Sequence, residues 1–288
     1  MGKRFDALVF PGKKHKVFTL SFDDGVVQDR RLVELFNKYG VIGTFNLNYE
    51  HFGFKGSKSY EGRVPVDVSK IEVSEVNDLY KGHEVGGHSY NHPDLAAIKS
   101  SYMMYEIIED KKELESIVGK PLKMFAYPYG RFNDDVKNVL RLAGYKGART
   151  TKSTYSFNLP SNPYELNPTC HYNDDRLMDL AKQFVEAKGY IPKMFYVWGH
   201  GYELDDKHNW EKLEELLAYI SEHKDEIYFA SNGDILTYIE AYNRLEYSAD
   251  GSLIYNPSAM DVEIYSYDNT YEYLKSDTIT KIKETGLL

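Results

Sequence analysis

The 288-residue sequence has a single cysteine, Cys170. An intrachain disulfide is therefore excluded, and so is a zinc site built from thiolates. Long hydrophobic runs are missing as well: nothing approaches the roughly 20 apolar residues that cross a bilayer. Positive charge is in deficit, with 35 Lys and Arg against 44 Asp and Glu and a formal net charge of -9. Nucleic acid and anionic membrane both reward clustered cations, so neither is expected as the main partner. No glycine-rich dinucleotide fingerprint follows the first strand-like run, which removes the main support for an open doubly wound sheet. The N-terminal stretch MGKRFDALVFPGKKHKV carries positive charge without the apolar segment and cleavage site of a secretory leader. The chain is accordingly expected to be cytoplasmic, or exported with its leader already removed. Oligomeric state is not legible.

What is present is the composition of a globular protein able to bury a sizeable core, as one large domain or two smaller ones. The 26 tyrosines offer flat rings with polar tips, which suit a sugar-binding cleft and equally a half-buried surface. Short β-like runs alternate with helical patterns over most of the length. VFTLSF (17–22) precedes a helix with Leu32, Leu35, Phe36 and Tyr39 on one face, and VIGTFNLN (41–48) follows Gly40. Residues 49–69 read as an excursion loop, followed by a helix near 70–81 and the strand HEVGGH (83–88). A long helix over roughly 94–118, the strand PLKMFAYPYG (121–130), a helix near 132–143 and the strand YKGART (145–150) come next. Later strands are expected at MFYVWGH (194–200) and EIYFAS (226–231), with helices marked by Leu177, Leu180, Ala181 and Phe184 and by Leu213, Leu216, Leu217 and Ile220. Strand–helix alternation of this size predicts parallel β/α units closing into a TIM-like barrel over residues 1–245. From 246 to 288 apolar and polar residues alternate around turn signals, which predicts a small β-rich C-terminal extension.

In such a barrel the loops after the strands converge on one mouth. Four strand ends carry reactive or orienting groups: Asp23-Asp24 in SFDDG, His88 and His92 in HSYNHP, Tyr127-Pro128-Tyr129-Gly130 in FAYPYG, and His200 in VWGHG. Alone, Asp-Asp-Gly fits a polar β-turn, and a pair of histidines four apart fits a surface helix. Together and in order they read as a site. Two imidazoles four residues apart face the same way in a helical turn, and with one carboxylate they make a three-donor metal set. The other histidines get a plainer reading: His15, His51, His208 and His223 as solvated, His83 as structural, and His171 likewise outside the site, with a place at the mouth as its alternative.

These motifs, over roughly residues 15 to 235, resemble the polysaccharide deacetylase family, the NodB-homology or carbohydrate esterase 4 enzymes. The resemblance implies a deformed (β/α) barrel of NodB type that removes N- or O-acetyl groups from sugars with the help of a metal ion. Zinc is the expected ion, with cobalt, nickel or manganese as alternatives. It places Asp24, His88 and His92 as the metal triad, Asp23 as the catalytic base, His200 as the general acid, and the backbone N–H of Tyr129 as the oxyanion donor.

Two departures from the family pattern are visible. Ala126 stands where the third motif often has an arginine that orients the base, and no acidic residue followed by Asp-Trp occurs between 145 and 175. Arg149, at the end of the next strand pattern, is the candidate to supply the absent guanidinium to Asp23, since a planar fork matches a carboxylate. The expected substrate is an N- or O-acetylated carbohydrate, with a small amide or cyclic amide on the same barrel, or a non-catalytic carbohydrate-binding role, as the other readings.

Overall fold

The structure, a computed structural model, describes residues 6–266 and 269–282. The chain opens with β1 (Asp6–Val9) and β2 (Lys16–Asp23), then α1 (Asp29–Tyr39) and β3 (Gly43–Leu47). The excursion that follows holds the two-residue strands β4 (Ser57–Lys58) and β5 (Val66–Asp67) and ends at the short helix α2 (Val76–Leu79). Next come β6 (Glu84–Gly87), α3 (Ser100–Val118), β7 (Met124–Ala126), α4 (Asp134–Leu142), β8 (Gly147–Arg149) and β9 (Cys170–His171). The barrel region finishes with α5 (Leu177–Glu186), β10 (Lys193–His200), α6 (Gly201–Asp206), α7 (Trp210–Ser221), β11 (Ile227–Phe229) and α8 (Asn232–Asn243). Five further strands follow among the described residues: β12 (Glu246–Tyr247), β13 (Leu253–Asn256), β14 (Val262–Ser266), β15 (Tyr271–Leu274) and β16 (Thr278–Lys281).

The central sheet is wholly parallel, in the order β8-β7-β6-β3-β2-β10-β9, with β11 on β2. It is a barrel of parallel β/α units, as the strand–helix alternation predicts, in the deformed form that the family resemblance implies. The deformation is visible at β2, where β11 pairs with Lys16 to Phe18 and β3 with Leu20 to Asp23 along the same edge.

A strand in a curled sheet has two faces, so its residues alternate between them. On β2, Phe18, Leu20 and Phe22 join the apolar layer under the helices, with Phe36 of α1, Phe184 of α5 and Phe195 of β10. The residues between them form a polar column inside the barrel. Thr19 donates to Asn232 (2.8 Å), Asn232 donates to the Tyr196 hydroxyl (2.6 Å), and Ser21 shares a bond with that same hydroxyl (2.8 Å). Asp23 ends this column at the mouth. At the opposite end, Ile235, Leu236 and Tyr238 of α8 pack with Leu8, Ile254, Val262 and Leu274 in a second apolar cluster. The terminal strands form two antiparallel sheets there, β1-β14-β15 and β12-β13-β16, so residues 6–9 pair with strands from the far end of the chain.

Several sequence expectations shift. The helix near 70–81 shrinks to a 3-10 turn at Val73–Glu75 and the single turn of α2, and α3 starts at Ser100. The helix α8 was not expected. Its buried residues (Ile235, Leu236, Tyr238, Ala241) lie on several sides, between barrel floor and terminal sheets, so one amphipathic stripe is absent. No helix among the described residues is long and apolar enough to cross a membrane.

Candidate active site

The end of β6 builds one side of the site. His88 and His92 do not sit on a helical turn; they lie on a loop in which Ser89 (φ 67°) and His92 (φ 56°) adopt left-handed backbone. Such conformations cost roughly 1–3 kcal/mol each and persist where surrounding bonds over-determine them. Here two buried acids of α3 and one asparagine supply those bonds. Asp110 accepts the N–H of His88 (3.1 Å) and of Tyr49 (3.0 Å), and Glu106 accepts the Asn91 N–H (2.7 Å). Asn48 donates to the carbonyls of His88 (2.6 Å) and Ser89 (2.7 Å). A side chain on Gly87 would collide with Tyr145 and Asp110, so this strand end requires glycine.

The tautomer of His88 follows from its partner. Nδ1 lies 2.7 Å from the Ala126 carbonyl, which can only accept, so Nδ1 carries the proton and Nε2 presents a lone pair. Burial keeps the ring neutral, lowering its pKa to about 4. Nε2 of His92 is 3.1 Å from Nε2 of His88, and Oδ1 of Asp24 lies 3.9 and 3.8 Å from those two nitrogens. A tetrahedral cation with bonds of roughly 2.0–2.2 Å sets its donors about 3.3–3.6 Å apart, so this donor set fits a divalent ion. Asp24 also has left-handed backbone, φ 83°.

The two adjacent aspartates differ in what they touch. Asp23 is buried, and both of its oxygens are taken: Oδ1 accepts from Asn46 (2.9 Å) and Oδ2 from the guanidinium of Arg149. Burial opposes its charge, yet the Arg149 guanidinium, aided by His88 and His200, holds the carboxyl below its ordinary range. Asp24 accepts no hydrogen bond among the described residues; its nearest cation is Lys70, 3.9 Å away. Burial opposes ionisation there too, and Lys70 with the surrounding imidazoles outweighs it, so this carboxyl is also held low.

His200 closes the other side, its Nε2 3.9 Å from Oδ2 of Asp23. Burial would lower its pKa, but Glu203 reverses this and raises it to about 9. Trp198 lies under the site, edge-on to His200 (5.6 Å between centroids), with the Arg149 guanidinium 4.4 Å from its own ring. Tyr129, with φ 58°, sets its ring edge-on to His92 at 4.6 Å and exposes 63% of its surface.

These groups share one cavity of about 640 Å³. The excursion after β3 forms its outer wall with His51, Phe54, Lys58 and Tyr60, the last stacked on Tyr202 at 5.3 Å. Arg63 anchors that wall through a two-point ion pair with Asp206 (3.0 and 2.6 Å). All seven residues singled out from the sequence (Asp23, Asp24, His88, His92, Tyr129, Arg149 and His200) are at or against this cavity. His51, expected to be solvated, lines it, and His15 is packed between Tyr190, Tyr265 and Tyr271. His83 is buried and accepts the Gly43 N–H at 3.2 Å, a structural role. Asn46, Asp110, Lys70 and Glu203 escaped the sequence reading, being single polar residues in no motif.

Residues 11–148, just under half of the chain, match the polysaccharide deacetylase family. Deacetylases of this family are generally metal-dependent, in keeping with the donor set. Among its relatives is the peptidoglycan-N-acetylmuramic acid deacetylase PdaA of Bacillus subtilis, 24% identical over 67% of this chain and 77% of that one. A peptidoglycan-N-acetylglucosamine deacetylase of Bacillus cereus is 28% identical over 46% of this chain and 54% of its own length. A chitin deacetylase of Pestalotiopsis is 29% identical over 44% and 39%. The chain thus spans about half or less of these last two. The barrel resembles the carbohydrate esterase 4 domain of a multidomain xylanase from the hindgut metagenome of Trinervitermes trinervoides, with a TM-score of 0.51, 18% identity, and 82% and 98% of the two chains covered. At that identity the likeness concerns the fold.

Proposed function

We propose that this protein is a metal-dependent deacetylase that hydrolyses N- or O-linked acetyl groups on a carbohydrate. The observation that carries the reading is the pairing of two differently held carboxylates with two imidazole lone pairs in one cavity. Asp24, His88 and His92 would hold the ion, with zinc favoured by two nitrogen donors and one carboxylate. When bound, such an ion supplies Lewis acidity, lowering the pKa of a water toward roughly 7 and polarising a carbonyl.

The remaining steps belong to the chain. Asp23 is kept ionised by Arg149 and oriented by Asn46, and it takes the proton of the attacking water. With both oxygens already engaged by donors, it is poorly placed to serve as a ligand, which leaves that role to Asp24. His200, protonated under the influence of Glu203, returns a proton to the departing amine or alcohol. The backbone N–H of Tyr129, on the loop after β7, is assigned to the acyl oxygen as negative charge develops there. The rings of Tyr129, Phe54 and Tyr60 give the cavity flat apolar faces suited to a sugar.

The relatives named above act on peptidoglycan and chitin, and an acetylated glycan of that kind is the favoured substrate. The test is acetate release from chitooligosaccharides, peptidoglycan and acetylated xylan, run beside a panel of cyclic imides with the zinc-loaded protein. Turnover of one of the acetylated glycans is the expected result. Hydrolysis confined to the imides would move the reading to small amides, and no turnover of either, with tight glycan binding, would leave a binding protein.

A further inference from the structure

The acid assigned above does not stand alone in the structure. Glu203, one turn into α6 from His200, has a single oxygen, Oε2, that lies close to three nitrogens. The backbone N–H of His200 lies 3.2 Å from it, Nδ1 of the same imidazole 3.4 Å, and Nε2 of His171 3.0 Å. His171 comes from β9, the strand paired beside β10, with Trp198 in register beside His171. All three side chains are about one-fifth to one-quarter exposed, so water screens them only partly.

The proton positions follow from the partners. Nδ1 of His171 lies 3.2 Å from the N–H of Asn173, which can only donate, so that nitrogen carries the lone pair. Nε2 of His171 therefore bears the hydrogen and donates it to Glu203. Nδ1 of His200 makes no hydrogen bond among the described residues, and the Glu203 carboxylate lies 3.4 Å from it, so the charge of a protonated ring is held beside that carboxylate. Nε2 of His200 is then the nitrogen turned to the cavity, 3.9 Å from Asp23. The edge of Trp198 packs against both imidazoles, at 4.8 Å from His171 and 5.6 Å from His200, and keeps the rings from turning.

We propose that His171 and Glu203 are positioning residues for His200: His171 clamps Glu203, and Glu203 fixes the tautomer and charge of His200 so that Nε2–H faces the leaving group. The inference rests on the reading of His200 as the acid. In the step it serves, the proton passes from Nε2 of His200 to the departing nitrogen or oxygen as the bond from that atom to the acyl carbon breaks. Glu203, its carboxyl held low, stays ionised throughout. A role for His171, Glu203 and His200 as a second metal site is the rival reading, since their donor atoms lie within 4.8 Å of one another.

The test compares Glu203→Gln, His171→Phe and His200→Ala on two substrates, an N-acetylated chitooligosaccharide and an activated aryl acetate whose leaving group needs no proton. Glu203→Gln is expected to lower kcat on the amide about 10²-fold with little change in KM and to leave the aryl acetate within about threefold. His171→Phe should give a smaller loss of the same selectivity. Proton NMR of the wild type should show a downfield imidazole N–H resonance that disappears in Glu203→Gln, a readout that needs no turnover. If His200→Ala loses amide turnover selectively while Glu203→Gln does not, the relay is overturned and the acid stands. If His200→Ala shows no selectivity, the assignment of the acid itself fails. A second equivalent of zinc bound by the wild type and lost in His171→Phe would replace the relay by a metal site.

Discussion

Arg149 meets Asp23 across the inside of the barrel. Their strands are not neighbours: β8 is an edge of the central sheet, and β7, β6 and β3 separate it from β2. The two side chains nevertheless pair with exposures of only 1% and 2%, so the curl of the sheet is what brings cation and carboxylate together. The guanidinium that another arrangement would place beside Asp23 at position 126 arrives here from one β/α unit further on.

This pairing predicts strong coupling. Arg149→Ala leaves a buried carboxylate without its partner, a change that commonly costs about 3–5 kcal/mol. Its thermal midpoint should fall by many degrees and its turnover with it. Asp23→Asn in the Arg149→Ala background should recover much of the lost stability. Additive effects of the two substitutions in a double-mutant cycle would show that the pair carries no coupling.

His88→Ala and His92→Ala should each abolish tight binding of the divalent ion, because each removes one of only three protein donors. Elemental analysis after dialysis is the measurement. Full occupancy in both variants would exclude these imidazoles as ligands.

Tyr129 separates a backbone role from a side-chain role. Tyr129→Ala keeps the N–H assigned to the acyl oxygen and removes the ring exposed beside His92. KM for a glycan should rise several-fold while kcat on a small aryl acetate stays within about twofold. A large loss of kcat on both substrates would place the phenol in the chemistry.

Glu84 predicts the pH dependence of stability away from the site. It accepts from Thr44 (2.8 Å) and from the Gly233 N–H (2.9 Å) at the start of α8, and burial raises its pKa to about 7. Between about 4.5 and 7 the unfolded chain ionises this carboxyl while the folded one keeps its proton. The contribution is therefore complete below pH 4.5 and is lost as pH rises to 7, by up to roughly 3 kcal/mol. Glu84→Gln should flatten that part of the stability–pH curve; denaturant unfolding at pH 4.5, 6 and 7.5 measures it. An unchanged slope would contradict the assignment.

How far the sequence revealed this depends on where the information lies in the chain. Strand–helix alternation is local, so the parallel barrel was legible from periodicity, and the residues that follow strand ends were legible because such positions share one mouth. The loop carrying His88 and His92 was not, since its left-handed turns are imposed by Asp110, Glu106 and Asn48, which are remote in sequence. Glu106 and Asp110 sit four residues apart on a helix that otherwise reads as a charged surface, and only the packed fold shows that they face inward. Glu203 was hidden in the same way, three residues beyond His200 in an unremarked acidic turn. The helix α8 escaped because burial on several sides erases the amphipathic stripe by which a helix is recognised.

The central claim is that Asp24, His88 and His92 hold an ion while Asp23 works beside it as a base. The most direct measurement strips the protein, titrates zinc back, and follows both bound metal and acetate release from the glycan substrate in wild type and Asp23→Asn. The account predicts that wild-type activity rises linearly and breaks at one ion per chain. Asp23→Asn should bind the same one ion and turn over about 10²–10⁴-fold more slowly. An Asp23→Asn protein that cannot retain the ion, or that keeps wild-type turnover with it, would contradict the division of labour between the two carboxylates.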